Sequence, residues 1–194
     1  MRVLVLYAHP VETSFVSALH IEAVKALRAR GHEVDDCDLY IEGFDPVLSR
    51  QDRLDYHDVS VNRARVASYV DRLLAAEALV LIFPVWNYGY PAILKGVFDK
   101  VFLPGATFTL SDNGDYTPTL GNIKRLATVC TYGGGWLRSL LMGDPPRRVV
   151  MRSVRGLISW RAPCRYLAHY GMNRTTLERR QRFLGEVKAY FSTW

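Results

Sequence analysis

The stretch Leu79–Phe102, LVLIFPVWNYGYPAILKGVFDKVF, decides the fold. Its first five residues are apolar without alternation. That is the pattern of a strand buried on both faces, and such strands belong to parallel sheets covered by helices. Pro84 then opens a turn in which Trp86, Tyr88 and Tyr90 are broken by Asn87 and Gly89. Pro91 stands at the first turn of a helix predicted to run to Phe102, where its missing N–H has no partner to lose. Strand, turn and helix in direct succession form the repeating unit of a doubly covered sheet.

The unit recurs on either side. Val3–Tyr7 reads as a first buried strand, followed by a helix that Thr13 or Ser14 caps and Gly31 ends. HEVDDCDL gives a second strand. Residues 40–60 read as a long loop and residues 61–76 as a helix with Val66, Tyr69, Val70 and Leu73 on one face. Residues 104–122 form a loop or hairpin. Arg125–Cys130 is a strand, Arg147–Ser159 a helix, Arg165–Tyr170 a strand and Thr176–Ser192 a final helix. Strand and helix alternate five times, with no internal repeat or interdomain linker, so residues 1–194 are expected to form one α/β domain.

Composition narrows the function classes. The chain is 49% hydrophobic and 23% charged, ordinary for a globular protein. No apolar run reaches the ~20 residues of a membrane span. The N-terminal apolar run is too short for a signal peptide and lacks a cleavage site. Cys37, Cys130 and Cys164 are odd in number, far apart and without metal-ligand spacing, which fits a reducing cytoplasm. Charge is uneven. Residues 145–194 hold eleven basic and two acidic residues, a net +9, while the rest carries −3. Nucleic acid, a phosphate-bearing small molecule and a solvated basic face compete as explanations. Nucleic acid is the weakest, because the basic residues fall on helices without a recognition motif.

In open parallel sheets, ligands bind beyond the carboxyl ends of the strands. Three loops lie there. AHPVETSF (residues 8–15) has neither a P-loop nor a dinucleotide fingerprint, but it sets Thr13 and Ser14 at a helix N-terminus. Hydroxyls, free N–H groups and the helix dipole suit a phosphate, with His9 as a further donor. An ordinary cap would look the same. PVWNYGYP offers Trp86, Tyr88 and Tyr90 as flanks for a planar ring. Pro84 is expected to hold the turn and Gly89 to let the backbone come close. Aromatic packing is the plain alternative. CTYGGGW sets three glycines after a strand, which is costly in entropy unless the backbone must lie flat against something. Its alternative is a floppy turn. Phosphate cradle, aromatic wall and flat platform together describe a flavin.

The residues also carry a resemblance. VLYAHPVETSFVSAL, DLYIEGFDPVLSRQD, FPVWNYGYPAILKGVFDKVFLPGATF and TVCTYGGGW resemble the NAD(P)H:quinone oxidoreductase family of flavodoxin-like flavoproteins, along most of residues 1–135. The resemblance implies a flavodoxin-like three-layer sandwich with a five-stranded parallel sheet in the order 2-1-3-4-5. It assigns His9, Thr13, Ser14 and Phe15 to the flavin phosphate and ribityl chain. Pro84, Val85, Trp86, Asn87 and Tyr88 would line the ring, and Thr131, Tyr132, Gly133 and Gly134 would meet its pyrimidine edge. It implies hydride transfer from NADPH or NADH to a quinone-type acceptor, and a homodimer to which exposed Trp136 or Tyr116 contributes. FMN against FAD stays open: the short chain and hydroxyl-rich first loop lean towards FMN, while the family's longer members use FAD and the His9–Phe15 loop resembles theirs. Longer members follow the glycine loop with a Tyr and a His that stabilise the reduced flavin. GGGWLRSLLMGDPP lacks both. Arg138 is the cation the sequence sets nearby, so Tyr132, Gly133, Gly134 and Arg138 are the candidate catalytic set, acting through backbone N–H groups and one guanidinium. Two rival readings are a one-electron flavodoxin-type carrier and a flavin-binding ancillary subunit of a potassium-efflux system. The basic charge speaks against a carrier with an acidic docking face.

Overall fold

The computed structural model describes residues 1–111, 113–159 and 161–194. Strand β1 (Arg2–Tyr7) leads through a loop to helix α1 (Phe15–Ala29), and β2 (Glu33–Asp38) follows. Helices α2 (Arg50–Asp55) and α3 (Ala67–Ala75) precede β3 (Ala78–Val85) and α4 (Ala92–Lys100). A small hairpin, β4 (Phe108–Leu110) and β5 (Tyr116–Pro118), comes before β6 (Arg125–Tyr132). Helix α5 (Trp136–Leu141) is next. Helix α6 (Pro145–Arg148) then runs through a π-helical stretch, Val149–Val154, into α7 (Arg155–Leu157). Strand β7 (Cys164–His169) and helix α8 (Leu177–Phe191) complete the order.

The sheet order is β2-β1-β3-β6-β7, all parallel. Setting the hairpin aside, this is the expected 2-1-3-4-5. Side chains alternate between the two faces. Val3, Val5 and Tyr7 join Leu19, Ala23 and Leu27 of α1 and Phe183, Val187 and Phe191 of α8 in one core. Leu4 and Leu6 join Val70 and Leu73 of α3, Leu94 and Val97 of α4 and Val150 and Val154 in the other. Edge strand β2 carries acids on both faces, each with a partner. Asp35 takes a bidentate bond from Arg72 of α3, and Asp36 pairs with His20 of α1 at 2.6 Å.

The structure shifts several sequence expectations. Ser14, not Thr13, caps α1, its Oγ accepting the Ser17 N–H at 3.1 Å. Gly31 takes φ +77°, the left-handed C-terminal position expected of it. The predicted 40–60 loop contains α2, started by a reciprocal Ser49–Asp52 capping box. The 61–76 helix is helical only over Ala67–Ala75. Ahead of it, Asn62 ties its side-chain amide to the carbonyls of Tyr56 and Pro104, both at 3.0 Å, and so competes with helix formation. β3 and β6 each run two residues past their predicted ends. The 147–159 helix starts at Pro145 and carries a π segment. Helix α5 has no counterpart in the sequence expectations. Asp112, within the predicted hairpin region, lies outside the described residues.

Candidate functional site

The carboxyl ends of β1, β3, β6 and β7 share one edge of the sheet, and the loop leaving each contributes to the site. β1 and β3 separate first. The Ala8 N–H donates to the Ile82 carbonyl at 3.0 Å. The next donor on that ladder would be Pro84, which has none. Pro84 is therefore a strand residue, in register with Thr131 of β6, and not the residue that holds the turn.

The turn itself is held by Trp86 and Gly89, which exchange two backbone hydrogen bonds of 3.1 and 2.8 Å. Between them, Asn87 and Tyr88 both have positive φ, 48° and 59°. Two consecutive left-handed residues are what a type I′ turn requires. A tyrosine in that region stores about 1–2 kcal/mol of strain. Gly89 has no positive φ, and an added Cβ would meet only the Trp86 carbonyl at 3.6 Å, so its predicted special role passes to Asn87 and Tyr88. The turn leaves Trp86 exposed. Tyr90 does not join this wall. Its ring packs on Phe83 and Phe98, and its hydroxyl donates to the Pro146 carbonyl at 2.5 Å.

The first loop meets the turn. His9 lies 5.9 Å from Trp86, centroid to centroid. Its Nδ1 lies 3.0 Å from the Val11 N–H and 3.2 Å from the Val11 carbonyl, so it accepts from the one or donates to the other according to the ring's tautomer. Thr13 is exposed beside the cap. Phe15 turns its ring into the protein, edge-on to His169 at 5.5 Å. What Phe15 offers a ligand is its N–H, which opens a 15-residue helix without an intrahelical acceptor. Burial lowers the pKa of both His9 and His169, and Arg179 and Arg180 add to the effect at His169. An unfolded chain takes up protons below about pH 6.5 that these folded imidazoles refuse. Stability is thus expected to fall as pH drops through that value towards the folded pKa values. Urea midpoints at about pH 7.5 and about pH 5.5 measure this, and His169→Gln should reduce the fall.

Val85 and Tyr132 are register partners, so the aromatic turn and the glycine loop leave the sheet side by side. The Tyr132 side chain is buried and points beneath the loop. Its hydroxyl donates to Asp144 Oδ1 at 2.6 Å. The Tyr166 hydroxyl, 2.7 Å away, must then be the donor to Tyr132. Tyr170 stacks on Tyr132 at 4.5 Å and donates to Asp144 Oδ2 at 3.4 Å. Burial first, and then the neighbouring Cys130 and Asp144, push the Tyr132 pKa well above its ordinary value. The hydroxyl stays protonated inside the network, and Tyr132 supports the loop from below instead of facing a ligand. Thr131 is likewise buried.

Gly133, Gly134 and Gly135 have no positive φ. Around Gly135 a Cβ would meet nothing within 4 Å, and at Gly134 only Arg138 Cδ at 3.8 Å. Gly134 and Gly135 answer neither a strained turn nor a crowded core and leave a bare backbone surface, whereas at Gly133 a Cβ would press on Asn173 Oδ1 at 3.2 Å. The loop is fastened by a fourth loop that sequence reasoning missed, the one after β7. The Gly171 N–H donates to the Gly134 carbonyl at 2.8 Å and the Asn173 N–H to the Gly133 carbonyl at 3.3 Å. Gly171 directly after a strand was the available signal. A cavity of about 490 Å³ lies over this platform, lined in part by Trp136, Arg138, Tyr170, Arg174 and Arg179. Arg138 is thus one of three cations there.

The arrangement fits a flavin by its own geometry: a helix N-terminus with hydroxyls, a strained turn presenting an indole, and a flat glycine surface at one sheet edge. The family model described as "Flavodoxin-like fold" matches residues 1–140, and the chain belongs to that family. Within it, the similarity runs to NAD(P)H:quinone oxidoreductases. NAD(P)H dehydrogenase [quinone] 1 of Rattus norvegicus is 34% identical over 156 residues, covering 72% of this chain and 56% of the relative. The chain thus spans little more than half the length of that relative. Smu.1420 from Streptococcus mutans superposes with a TM-score of 0.82 at 26% identity, covering all of both chains. The NAD(P)H:quinone oxidoreductase from Methanothermobacter marburgensis superposes with a TM-score of 0.80 at 24% identity over 99% of this chain and 98% of that one, a likeness of fold.

Proposed function

We propose that the chain binds a flavin across these loops and carries two electrons, as hydride, from NADPH or NADH to a quinone or similar small acceptor. The observation that carries this reading is the pairing of a bare glycine platform with a left-handed aromatic turn at adjacent strand ends. His9, Thr13, Ser14 and the Phe15 N–H would hold the phosphate and ribityl chain. Val85, Trp86, Asn87 and Tyr88 would flank the ring, and the Thr131–Gly134 backbone would meet its polar edge. The bound flavin supplies the hydride chemistry; the protein supplies orientation and charge. Arg138 and the platform N–H groups would stabilise negative charge on the ring edge. FMN is preferred to FAD on the hydroxyl-rich first loop. A relative from Hahella chejuensis, 48% identical over 46 residues, is named an FMN-dependent NADH:quinone oxidoreductase.

The same reading takes the chain to be a cytoplasmic homodimer. All three cysteines are free. Helix α5 and the residue after it expose Trp136, Leu137, Leu140, Leu141 and Met142, an apolar face suited to a second copy. Among the described residues, no helix is long and apolar enough to cross a membrane.

The test is the absorbance spectrum of the purified protein before and after anaerobic NADPH. Bands near roughly 370 and 450 nm that bleach straight to the two-electron form are expected of a flavin doing hydride chemistry. A bound flavin that stays oxidised would favour the carrier or ancillary-subunit reading. Absence of flavin after reconstitution with FMN and FAD would reduce the aromatic turn to packing.

A further inference from the structure

A separate cavity of about 240 Å³ opens where β1 and β2 end, between the 8–12 loop, the start of α1 and the turn after β2. Strand β3 stands between it and the glycine platform on β6. Tyr7 and Asp38, the last residues of β1 and β2, are register partners, so both side chains stand on the α1 face of the sheet. The lining holds the carboxylates of Glu12 and Asp38 and the rings of Tyr7, His20 and Tyr40, with no lysine or arginine. On a chain of net charge +6 that is a local reversal of sign. The walls are fixed. Asp38 Oδ1 accepts the N–H groups of Tyr40 and Ile41 at 3.0 and 3.1 Å. His20 lies parallel on Tyr7 at 4.1 Å and pairs with Asp36 at 2.6 Å.

Acids alone would make only a solvated surface. The Tyr7 hydroxyl makes this one different. Tyr7 is 3% exposed, and its hydroxyl has no hydrogen-bond partner. Burial raises the pKa of that hydroxyl, Ser17 and Ser14 lower it, and the charges of Asp38 and Glu12 raise it again, which places all four side chains around it. Buried polar groups are seldom left unpaired, because they forfeit their hydration. This one is held ready at the wall of an anionic, aromatic cavity.

We propose that this cavity binds a small organic ammonium ion, a primary amine with an apolar body. Asp38 and Glu12 neutralise its charge, the Tyr7 oxygen accepts one ammonium N–H, and the Tyr40 ring attracts the cation. A volume below the ~300–1,000 Å³ of larger ligand sites restricts the guest to small metabolites. A metal ion fits less well, since among the described residues no three His, Cys, Asp or Glu side chains converge to hold one. The inference does not rest on the flavin reading. His9 lines this cavity too, but Glu12, Ser17, His20, Asp38 and Tyr40 have no part in the flavin site.

Calorimetric titration of the protein as purified, and again with FMN in excess, decides it. The probes are 2-phenylethylamine, 2-phenylethanol and phenylacetate, which share a benzyl frame and differ in charge. The amine is expected to bind about tenfold or more tightly than the alcohol, since a charge-assisted hydrogen bond is worth on the order of tenfold, and phenylacetate is expected not to bind. Glu12→Gln/Asp38→Asn keeps the shape and removes the charge. It should weaken the amine by about tenfold and leave the alcohol within about twofold. Tyr7→Phe should weaken the amine by roughly three- to tenfold without lowering the urea midpoint, because no internal bond is lost. Glu178→Gln on α8, outside the cavity, should leave the amine's affinity within about twofold. An amine that binds no better than the alcohol overturns the proposal, and so does an equal loss in Glu178→Gln, which would mean attraction by overall charge. A lower midpoint in Tyr7→Phe would show the hydroxyl bonded within the protein and overturns it too. Displacement of the amine by FMN would assign the cavity to the flavin and overturn it as a separate site.

Discussion

Gly96→Ala is expected to destabilise the fold by about 2–3 kcal/mol, although it removes a glycine from a helix. Helix propensity alone predicts the opposite sign, a gain of roughly 1 kcal/mol. Geometry decides against propensity. A Cβ at Gly96 would stand 2.6 Å from the Pro46 carbonyl oxygen and closer still to its Cα and Cβ. These atoms belong to a backbone segment that does not rotate aside. That segment is pinned on the same helix by Lys100, whose ammonium donates to the Val47 carbonyl at 2.9 Å and to Asp45 at 3.3 Å while lying 6.0 Å over the Phe44 ring. The methyl must displace the whole Phe44–Val47 crossing or bend α4. Urea unfolding should show a lower midpoint with an unchanged slope. Gly185 in α8 is the internal control. A Cβ there meets nothing within 4 Å, so Gly185→Ala should be neutral or stabilise by up to ~1 kcal/mol. A Gly96→Ala protein as stable as wild type would mean that the 44–47 crossing does not sit on α4 as described.

How much of this was legible beforehand follows from where the signals are local. Leu79–Phe83 announces a doubly buried strand because every residue of it meets a helix layer, and the structure leaves all five inaccessible. Strand order could be drawn from the resemblance because the alternation of elements is complete. Local chemistry also revealed the left-handed Gly31 and the helix start near Ser14. The misses are tertiary. Pro84 looked like a turn residue because prolines are rare in central strands; it is tolerated where the β1 ladder has already ended. Tyr90 looked like part of an aromatic wall, but Phe83, Phe98 and the Pro146 carbonyl, 56 residues away, claim it. Tyr132 reads as a residue facing the ligand, and the partner that turns it away, Asp144, sits beyond a helix the sequence did not suggest. The loop at Gly171–Arg174 is joined to the glycine platform through main-chain bonds, so that beyond Gly171 after the strand little in residue type marks it.

Gly134→Ala and Gly134→Val are expected to leave folding stability within about 0.5 kcal/mol of wild type while weakening flavin binding, by roughly tenfold and at least about a hundredfold respectively. The separation of the two effects comes from the position. Gly134 has no positive φ, so a side chain adds no backbone strain there. Its nearest neighbour to a new Cβ is the flexible Arg138 Cδ at 3.8 Å, an ordinary contact. Gly133 would not serve, because its Cβ meets Asn173 Oδ1 at 3.2 Å and mixes packing into the result. The loop backbone is fixed in either variant by the Gly171 N–H on the Gly134 carbonyl and by the Tyr132–Asp144 bond beneath it. A side chain at residue 134 thus rises from a surface that cannot retreat, and a planar ring lying on that surface must lift by about the thickness of a methyl group. Across a gap of that width, most of the dispersion attraction between ring and backbone is forfeited. Titration of apoprotein with FMN and with FAD, alongside urea unfolding of the same samples, reads both quantities. Unchanged affinity in Gly134→Val would show that nothing flat rests on the glycines and would return them to an ordinary turn. Parallel losses of affinity and stability would mean the loop itself had collapsed. Only loss of affinity at constant stability makes residues 133–135 a ligand surface.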